Sequence, residues 1–378
     1  MKKKLSGLFI LVLVALLTLT GCLNDTSSSN GNGNSKDEGA ENVDTQEKFT
    51  WKYSTIYAEG SIQFERDKRF KELVEQLSNG QIELELHPVG VLSDAGQLLD
   101  TVSDGTIEVG GDWPGTWAGR NTAFSLLGTQ TGMTSFDYIM WLEMAGGRDV
   151  YNEIYGQHNL IYFPYNSPAN ESGIRSNEPI KNIDDLKGKN IRFVGTVQER
   201  VLDALGGNPM NVPAHELYEA MQRGVIDALE FAGPAGDKAM NFDEVSKYLA
   251  APGWHQTASV TGVMINKEAW ESLPAHLQNV IEVASKTTLL ETTFKELYLD
   301  AEASSEMIEG GIEVNYFSDD DLETIEGIID DVLDDLADEN DDFAKVLESQ
   351  RDFMDNFAEY RDLMEPWGFG VNSELFIK

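Results

Sequence analysis

Sulfur and imidazole chemistry are scarce in this chain. Its 378 residues include a single cysteine, Cys22, and five histidines. One cysteine excludes an intramolecular disulfide and any cysteine-cluster metal site. HExxH, CxxC, GxSxG and phosphate-loop glycine patterns are all missing, so zincin, redox, serine-hydrolase and nucleotide chemistry have no foothold. Cations are few as well: 28 Lys and Arg face 65 Asp and Glu, a formal net charge of −37. Such a polyanion is repelled by nucleic acid and by anionic membrane surfaces, which excludes both as partners. An anionic solute would meet the same repulsion at long range. Its site must then carry local positive charge, from an arginine or a recruited cation. No solenoid repeat is present.

What is there begins with MKKKLSGLFILVLVALLTLTGC. Lys2, Lys3 and Lys4 form a positive leader, and Leu8 to Leu17 an apolar core short for a bilayer span. The segment closes on Leu19-Thr20-Gly21-Cys22, which resembles a bacterial lipobox. Residues 1–21 therefore read as a lipoprotein signal peptide, with Cys22 the lipidated mature N-terminus on the outer face of a cytoplasmic membrane. Residues 22–48 have almost nothing to bury. They read as a flexible tether with an r.m.s. reach of roughly 25–30 Å. Loss of the leader takes three lysines with it, leaving the mature chain at about −40.

Residues 49–378, about 330 in number, suggest two lobes around a cleft more than one core. WKYSTIYA at 51–58 reads as a strand, and Phe70, Leu73, Val74 and Leu77 mark one face of a helix stopped at Asn79-Gly80. QIELELH alternates with period two, a helix is expected at 94–104, and TIEVGG forms a third strand. This is an α/β unit with a parallel sheet. A second unit follows: a short turn at 184–188, the strand NIRFVG, a helix over 198–205, a helix over 214–223 and the strand VIDALEF. LLDTVSDGTIEV at 98–109 and LYEAMQRGVIDA at 217–228 share a helix–Gly–strand pattern through Gly105 and Gly224. The lobes are expected at roughly 49–165 and 175–260. A long helix over 274–309, opened by Pro274 and closed by Gly310-Gly311, would brace both, with C-terminal helices over 318–365.

Much of the acid lies in 319–342. Leu322, Ile325, Ile328, Ile329, Val332 and Leu336 recur there at helical spacing, predicting one packed face and one solvated acidic face. The glycine-interrupted ligand spacing of a calcium loop is missing. The acid excess fits a saline or alkaline exterior.

Residues 186–234 concentrate what the chain offers a ligand. Arg192 rides one expected strand and Glu230 ends another, setting a fixed cation and a fixed anion beside one cleft. A guanidinium fork takes a carboxylate through two parallel hydrogen bonds, and carboxylate or carbonyl oxygens suit a hard cation. Taken alone, Arg192 equally fits an interlobe ion pair, and Glu230 a helix cap or a lysine partner.

NIDDLKGKNIRF, VIDALEFAGP, PGW at 252–254 and VMINKEAWESLP at 263–274 resemble the DctP-type solute-binding proteins of TRAP transporters. The nearest members are those that bind α-keto acids or lactate with a metal ion. The resemblance runs from about Trp51 to Trp270 in consistent order. It implies a two-lobe, periplasmic-binding-protein-like α/β fold with a hinge and a central cleft. Arg192 matches the arginine that holds the substrate carboxylate, Glu230 the metal-ligating glutamate, and Phe231 the aromatic whose carbonyl faces the ion. The third ligand, an amide in that subgroup, falls on Glu171, with Asn170 the alternative after a one-residue shift. A carboxylate there favours Ca2+ over Na+. Two further departures are Phe231, where tryptophan is frequent, and His255-Gln256, where an aromatic and a glutamate are usual. If Glu171 adds a charge that Gln256 removes, the pocket keeps its total.

Trp113, Trp117 and Trp254 are candidate pocket walls, whereas Trp51, Trp141, Trp270 and Trp367 read as packing. The implied partners are a small-molecule carboxylate, the membrane subunits of a TRAP permease and, through C-terminal helices, a second copy in a homodimer. The expected activity is capture and delivery of a 2-oxo or 2-hydroxy monocarboxylate. A sugar acid or dicarboxylate bound without metal is the alternative. A hydrolase using Glu171 and Glu230 as paired carboxylates is a further reading. An ABC-type binding protein would lack the paired DLKG–Arg and EFAGP elements.

Overall fold

The computed structural model describes residues 47–364. The leader, Cys22, most of the tether and Trp367 lie outside them. The chain begins β1 (Phe49–Thr55), α1 (Ile62–Leu77), β2 (Ile82–His87), α2 (Leu98–Ser103), β3 (Val109–Asp112) and α3 (Ala123–Gly128). It continues β4 (Thr129–Gln130), α4 (Ser135–Met144), α5 (Gly147–Gly156) and β5 (Leu160–Asn166). Next come β6 (Ile174–Ser176), β7 (Asn190–Arg192), α6 (Thr196–Ala204), β8 (Asn208–Met210), α7 (Leu217–Gln222) and β9 (Ala228–Leu229). After them run α8 (Pro234–Ala239), α9 (Phe242–Val245), β10 (Tyr248–Ala251), β11 (Ala258–Ser259), β12 (Thr261–Asn266) and α10 (Lys267–Ser272). The last elements are α11 (Ala275–Glu309), β13 (Glu313–Tyr316), α12 (Asp319–Glu339) and α13 (Asp341–Met364).

Two sheets carry the fold. The first runs β2-β1-β3-β12-β5 and the second β13-β10-β6-β9-β7-β8. In each, the leading strands pair in parallel: β1 with β2 and β3, β7 with β8 and β9. Each sheet then turns antiparallel, through β12 between β3 and β5, and through β6 between β9 and β10. The two sheets therefore share one plan, repeated. The antiparallel half departs from the all-parallel expectation, because β6 and β12 follow crossings from one sheet to the other. Gly105 and Gly224 stand at φ 76° and 67° between α2 and β3 and between α7 and β9, a left-handed turn that glycine takes without a Cβ clash. β11 pairs with β4 in a separate two-stranded ribbon.

Local chemistry sets the element ends. Ser61 caps α1 by accepting from the Phe64 amide, and Asn79 and Gly80 end it at positive φ. Helix 94–104 is shorter than its sequence suggests, a 3-10 turn at Ala95–Gln97 leading into α2, and 214–223 repeats that form. VIDALEF contributes only Ala228 and Leu229 to the ladder. α11 packs on α1 and β5 beside the first sheet and on α8 beside the second. α12 packs on α6 through Ile325, Ile329, Val332, Leu333 and Leu336, and α13 packs on α3, α4 and α5. No helix among the described residues is long and apolar enough to cross a membrane.

Two buried carboxylates belong to the first sheet and the helix on it, Asp112 at the end of β3 and Asp67 in α1. Asp67 accepts from the hydroxyls of Tyr53 and Tyr165, the latter at 2.5 Å. Asp112 accepts from Trp117 Nε1 at 2.5 Å and the Tyr155 hydroxyl at 2.9 Å. Burial raises Asp67 to a pKa of about 6 and Asp112 to about 7.

Candidate functional site

Sheet topology brings the sequence candidates to one edge. Arg192 ends β7 and Glu230 follows β9, and these strands are parallel, with Arg192 opposite Leu229. β6 runs antiparallel to β9, so the residues just before it, including Glu171, arrive at the same edge. β10 runs antiparallel to β6 and delivers Trp254, His255 and Gln256 there too. In α/β sheets this carboxyl edge is where ligands bind.

The side chains meet closely. Arg192 Nη1 donates to the Glu230 carbonyl at 2.6 Å and to Glu230 Oε1 at 2.8 Å. The Val194 amide also donates to Glu230 Oε1, at 2.8 Å. Glu171 Oε1 accepts from Gln256 Nε2 at 2.6 Å, and Glu171 Oε2 lies 2.8 Å from His255 Nε2. One ligand atom each from Glu171, Glu230 and His255 falls within a span of 4.8 Å. All three are buried, with Arg192 8% exposed. The Arg192 guanidinium lies 5.8 Å from the centre of the Phe231 ring. Its Nε is buried and has no protein partner.

Backbone pairing holds the cluster in place. The Glu171 amide donates to the Gln256 carbonyl at 3.1 Å, and the Ser172 amide to the Ala232 carbonyl at 3.0 Å. Asp237 receives the Ala232 amide at 3.2 Å and Arg175 Nε at 2.5 Å, a buried ion pair behind the loop. A Cβ on Gly253 would meet the Glu171 carbonyl at 2.3 Å, so only glycine lets these two segments touch.

Electrostatics follow from burial. Desolvation raises Glu230 to about 8, opposed by Arg192 and reinforced by Glu171. Glu171 rises to about 7, again first through burial. Burial lowers His255 to about 4, so its ring is neutral, and its Nε2 shares one hydrogen bond with Glu171 Oε2. Two buried carboxylates share one arginine, an arrangement that an added cation neutralises. Oxygen donors in this number suit a hard metal ion, and the orphaned Arg192 Nε suits an acceptor such as a carboxylate oxygen.

The remaining candidates fall differently. Asn170 is exposed and stands outside the cluster that holds Glu171. Trp254 packs against Phe193, with ring centroids 5.7 Å apart, and its Nε1 is buried without a partner. Trp117 is buried in the same core cluster as Trp141 and Trp254, with its indole on Asp112. Trp113 donates to the Gly128 carbonyl at 2.9 Å. Phe231 packs edge-on against Phe242. His255, read from sequence only as a departure, stands inside the cluster. Its one signal in the sequence was its place directly after PGW.

Comparison with known proteins agrees with this architecture. The model of the bacterial extracellular solute-binding protein family 7, DctP, matches residues 53–340. The monocarboxylate 2-oxoacid-binding periplasmic protein of a Nostoc species is 27% identical over 345 residues, 91% of this chain and 92% of its own. A TRAP solute-binding protein from Bordetella bronchiseptica, a dimer with calcium and picolinate in one active site, superposes with TM-score 0.79 at 26% identity. It spans 84% of this chain and 95% of its own. One from Pseudoalteromonas atlantica with bound sodium and pyruvate superposes with TM-score 0.78 at 26% identity, over 86% of this chain and all of its own. With two sheets of one plan, a polar cluster at the carboxyl edge and a family match over most of its length, the chain belongs to the DctP family of TRAP-type extracellular solute-binding proteins, binders rather than enzymes.

Proposed function

We propose that the chain captures a 2-oxo or 2-hydroxy monocarboxylate together with a cation and hands it to a TRAP permease. One observation carries the reading: Arg192 is buried against a pair of buried carboxylates, Glu171 and Glu230, at a single sheet edge. A lone arginine would serve any carboxylate. The added carboxylates call for a positive ion, and a 2-oxo or 2-hydroxy acid supplies two adjacent oxygens to chelate it. Arg192 holds the carboxylate through its free Nε edge. Glu230, the Phe231 carbonyl and Glu171 hold the ion, Ca2+ or Na+, while Gln256 steadies Glu171. Pyruvate and picolinate, held by the two structural neighbours, each carry a carboxylate beside a second donor atom, which supports this chemistry. Trp254 offers an apolar wall. Residues 49–378 act as two lobes closing on the ligand, anchored through lipidated Cys22 and the 22–48 tether. Dimerisation through C-terminal helices belongs to the same reading.

A thermal-shift panel on the full chain tests it with pyruvate, longer 2-oxo acids, lactate, dicarboxylates and sugar acids, each with calcium, sodium or chelator. A ligand at 100 times its Kd adds about 2.7 kcal/mol. Stabilisation by a 2-oxo or 2-hydroxy acid only with a cation is expected. Stabilisation by a dicarboxylate or sugar acid regardless of cation overturns the chelate site.

A further inference from the structure

We propose that His255 is a third side-chain ligand in this site, and that it turns the cation preference from calcium and sodium toward borderline divalent ions such as Mn2+, Co2+ and Zn2+. This rests on the cation site proposed above and sharpens which ion it takes. Three facts lead to it. The His255 ring is 1% exposed and packs against two aromatic rings, tilted on Phe193 with centroids 5.0 Å apart and edge-on to Trp254 at 5.5 Å. Burial and these contacts hold the ring in the cluster. Its Nε2 stands 2.8 Å from Glu171 Oε2, close to the roughly 3 Å separating adjacent donors about 2.1 Å from one ion. A metal ion can take the place of the hydrogen bond between them when the ring carries its proton on Nδ1 and Glu171 is ionised. Glu230 completes the triangle within 4.8 Å.

Donor chemistry then decides the ion. Imidazole nitrogen is a poor ligand for sodium and calcium, which take oxygen, and a good one for the later first-row dications. Two carboxylates and one imidazole form a set with open positions for a chelating solute. A metal-bound imidazole needs an acceptor for its second nitrogen. His255 Nδ1 is buried without a partner, and so is Oε1 of Gln198, whose Nε2 already donates to the His255 carbonyl at 2.9 Å. Both atoms are buried and unpartnered beside the same His255 backbone contact, so Gln198 is the residue to supply that acceptor when the ion binds.

The test uses the full chain stripped with chelator and titrated by calorimetry with Mn2+, Co2+, Zn2+, Ca2+ and Na+, with and without pyruvate. Pulsed EPR of the Mn2+ form reads nitrogen coordination directly, and the visible spectrum of the Co2+ form reads geometry. Expected are Mn2+ or Zn2+ binding at least about tenfold tighter than Ca2+, with a 14N coupling of imidazole size. H255Q should lose that coupling and weaken Mn2+ and Zn2+ by about 10–100-fold, leaving Ca2+ within about threefold. Calcium binding as tight as manganese with no 14N coupling in the wild-type chain overturns the inference, whatever the variant does. Equal weakening of every ion in H255Q also overturns it, leaving His255 as a group that only positions Glu171. Metal binding with nitrogen coordination but no pyruvate response would uphold the inference while sinking the 2-oxo acid reading.

Discussion

At the scale of single residues, the site works through two opposed burials. Arg192 is a guanidinium brought under cover beside Glu230, and replacing it by lysine keeps the charge but not the fork. R192K is expected to raise the Kd for pyruvate about 10–100-fold, measured by calorimetry, because one charge-assisted hydrogen bond is lost. E230Q should weaken cation binding by more than about tenfold and lower the thermal midpoint of the cation-free chain, since it leaves Arg192 buried without its partner charge. G253A acts on backbone alone. Its Cβ falls 2.3 Å from the Glu171 carbonyl, so cation affinity should drop by about tenfold or more with no polar group deleted. Asp112 speaks to pH. Its pKa is raised to about 7 in the fold, so the stability it contributes is fully present below its unfolded value and is lost as pH rises through about 7. Urea unfolding with chelator present should show a less stable wild-type chain at pH 8 than at pH 5, and D112N should narrow that gap. Arg192 and Glu230 were legible in the sequence as charges on expected strands, whereas Glu171 was reached only through the family resemblance, with Asn170 as its alternative. The role of His255 was not, since nothing local distinguishes a buried loop histidine from a packed one. Neither Asp67 nor Asp112 announces its burial, which depends on tyrosines 53, 155 and 165 arriving from distant segments.

Among the elements, periodicity carried furthest where helices are long. α11 begins one residue after Pro274 and ends at Gly310, as the flanking residues dictate. The stripe of apolar residues in 319–342 gives a helix whose inner face is buried and whose acidic face meets water. Two substitutions separate those faces. L336A, at a fully buried position, should cost about 2–5 kcal/mol in urea unfolding. E339Q breaks an exposed pair with Arg200 and should cost less than about 1 kcal/mol. Short strands were less legible. β9 is two residues long because Glu230 leaves the ladder to serve the site, and its hydrophobic context alone reads as a longer strand. Antiparallel insertion of β6 and β12 was invisible too. Each joins a sheet after a crossing, and period-two alternation says nothing about partners.

The whole molecule is a polyanion that binds an anion. At −37 the chain repels a carboxylate at long range, and Arg192 together with the proposed cation must offset that repulsion locally. Association of pyruvate should therefore speed up severalfold as ionic strength rises from about 0.02 to about 0.5 M, because salt screens repulsion beyond roughly a Debye length. Stopped-flow fluorescence, with Trp254 against Phe193 near the site, can follow it. A slowing with salt would mean local attraction dominates the approach. The repeated sheet plan was foreshadowed by the helix–Gly–strand match at Gly105 and Gly224, and the strand order extends it across both sheets. Cation and carboxylate are expected to bind as one unit. Calorimetric titration of pyruvate into the chelator-treated full chain, with and without added divalent ion, measures that coupling directly. Stoichiometric binding that needs the ion, and that E230Q abolishes, is the predicted result. Binding of equal strength without any ion, unchanged in E230Q, would contradict it.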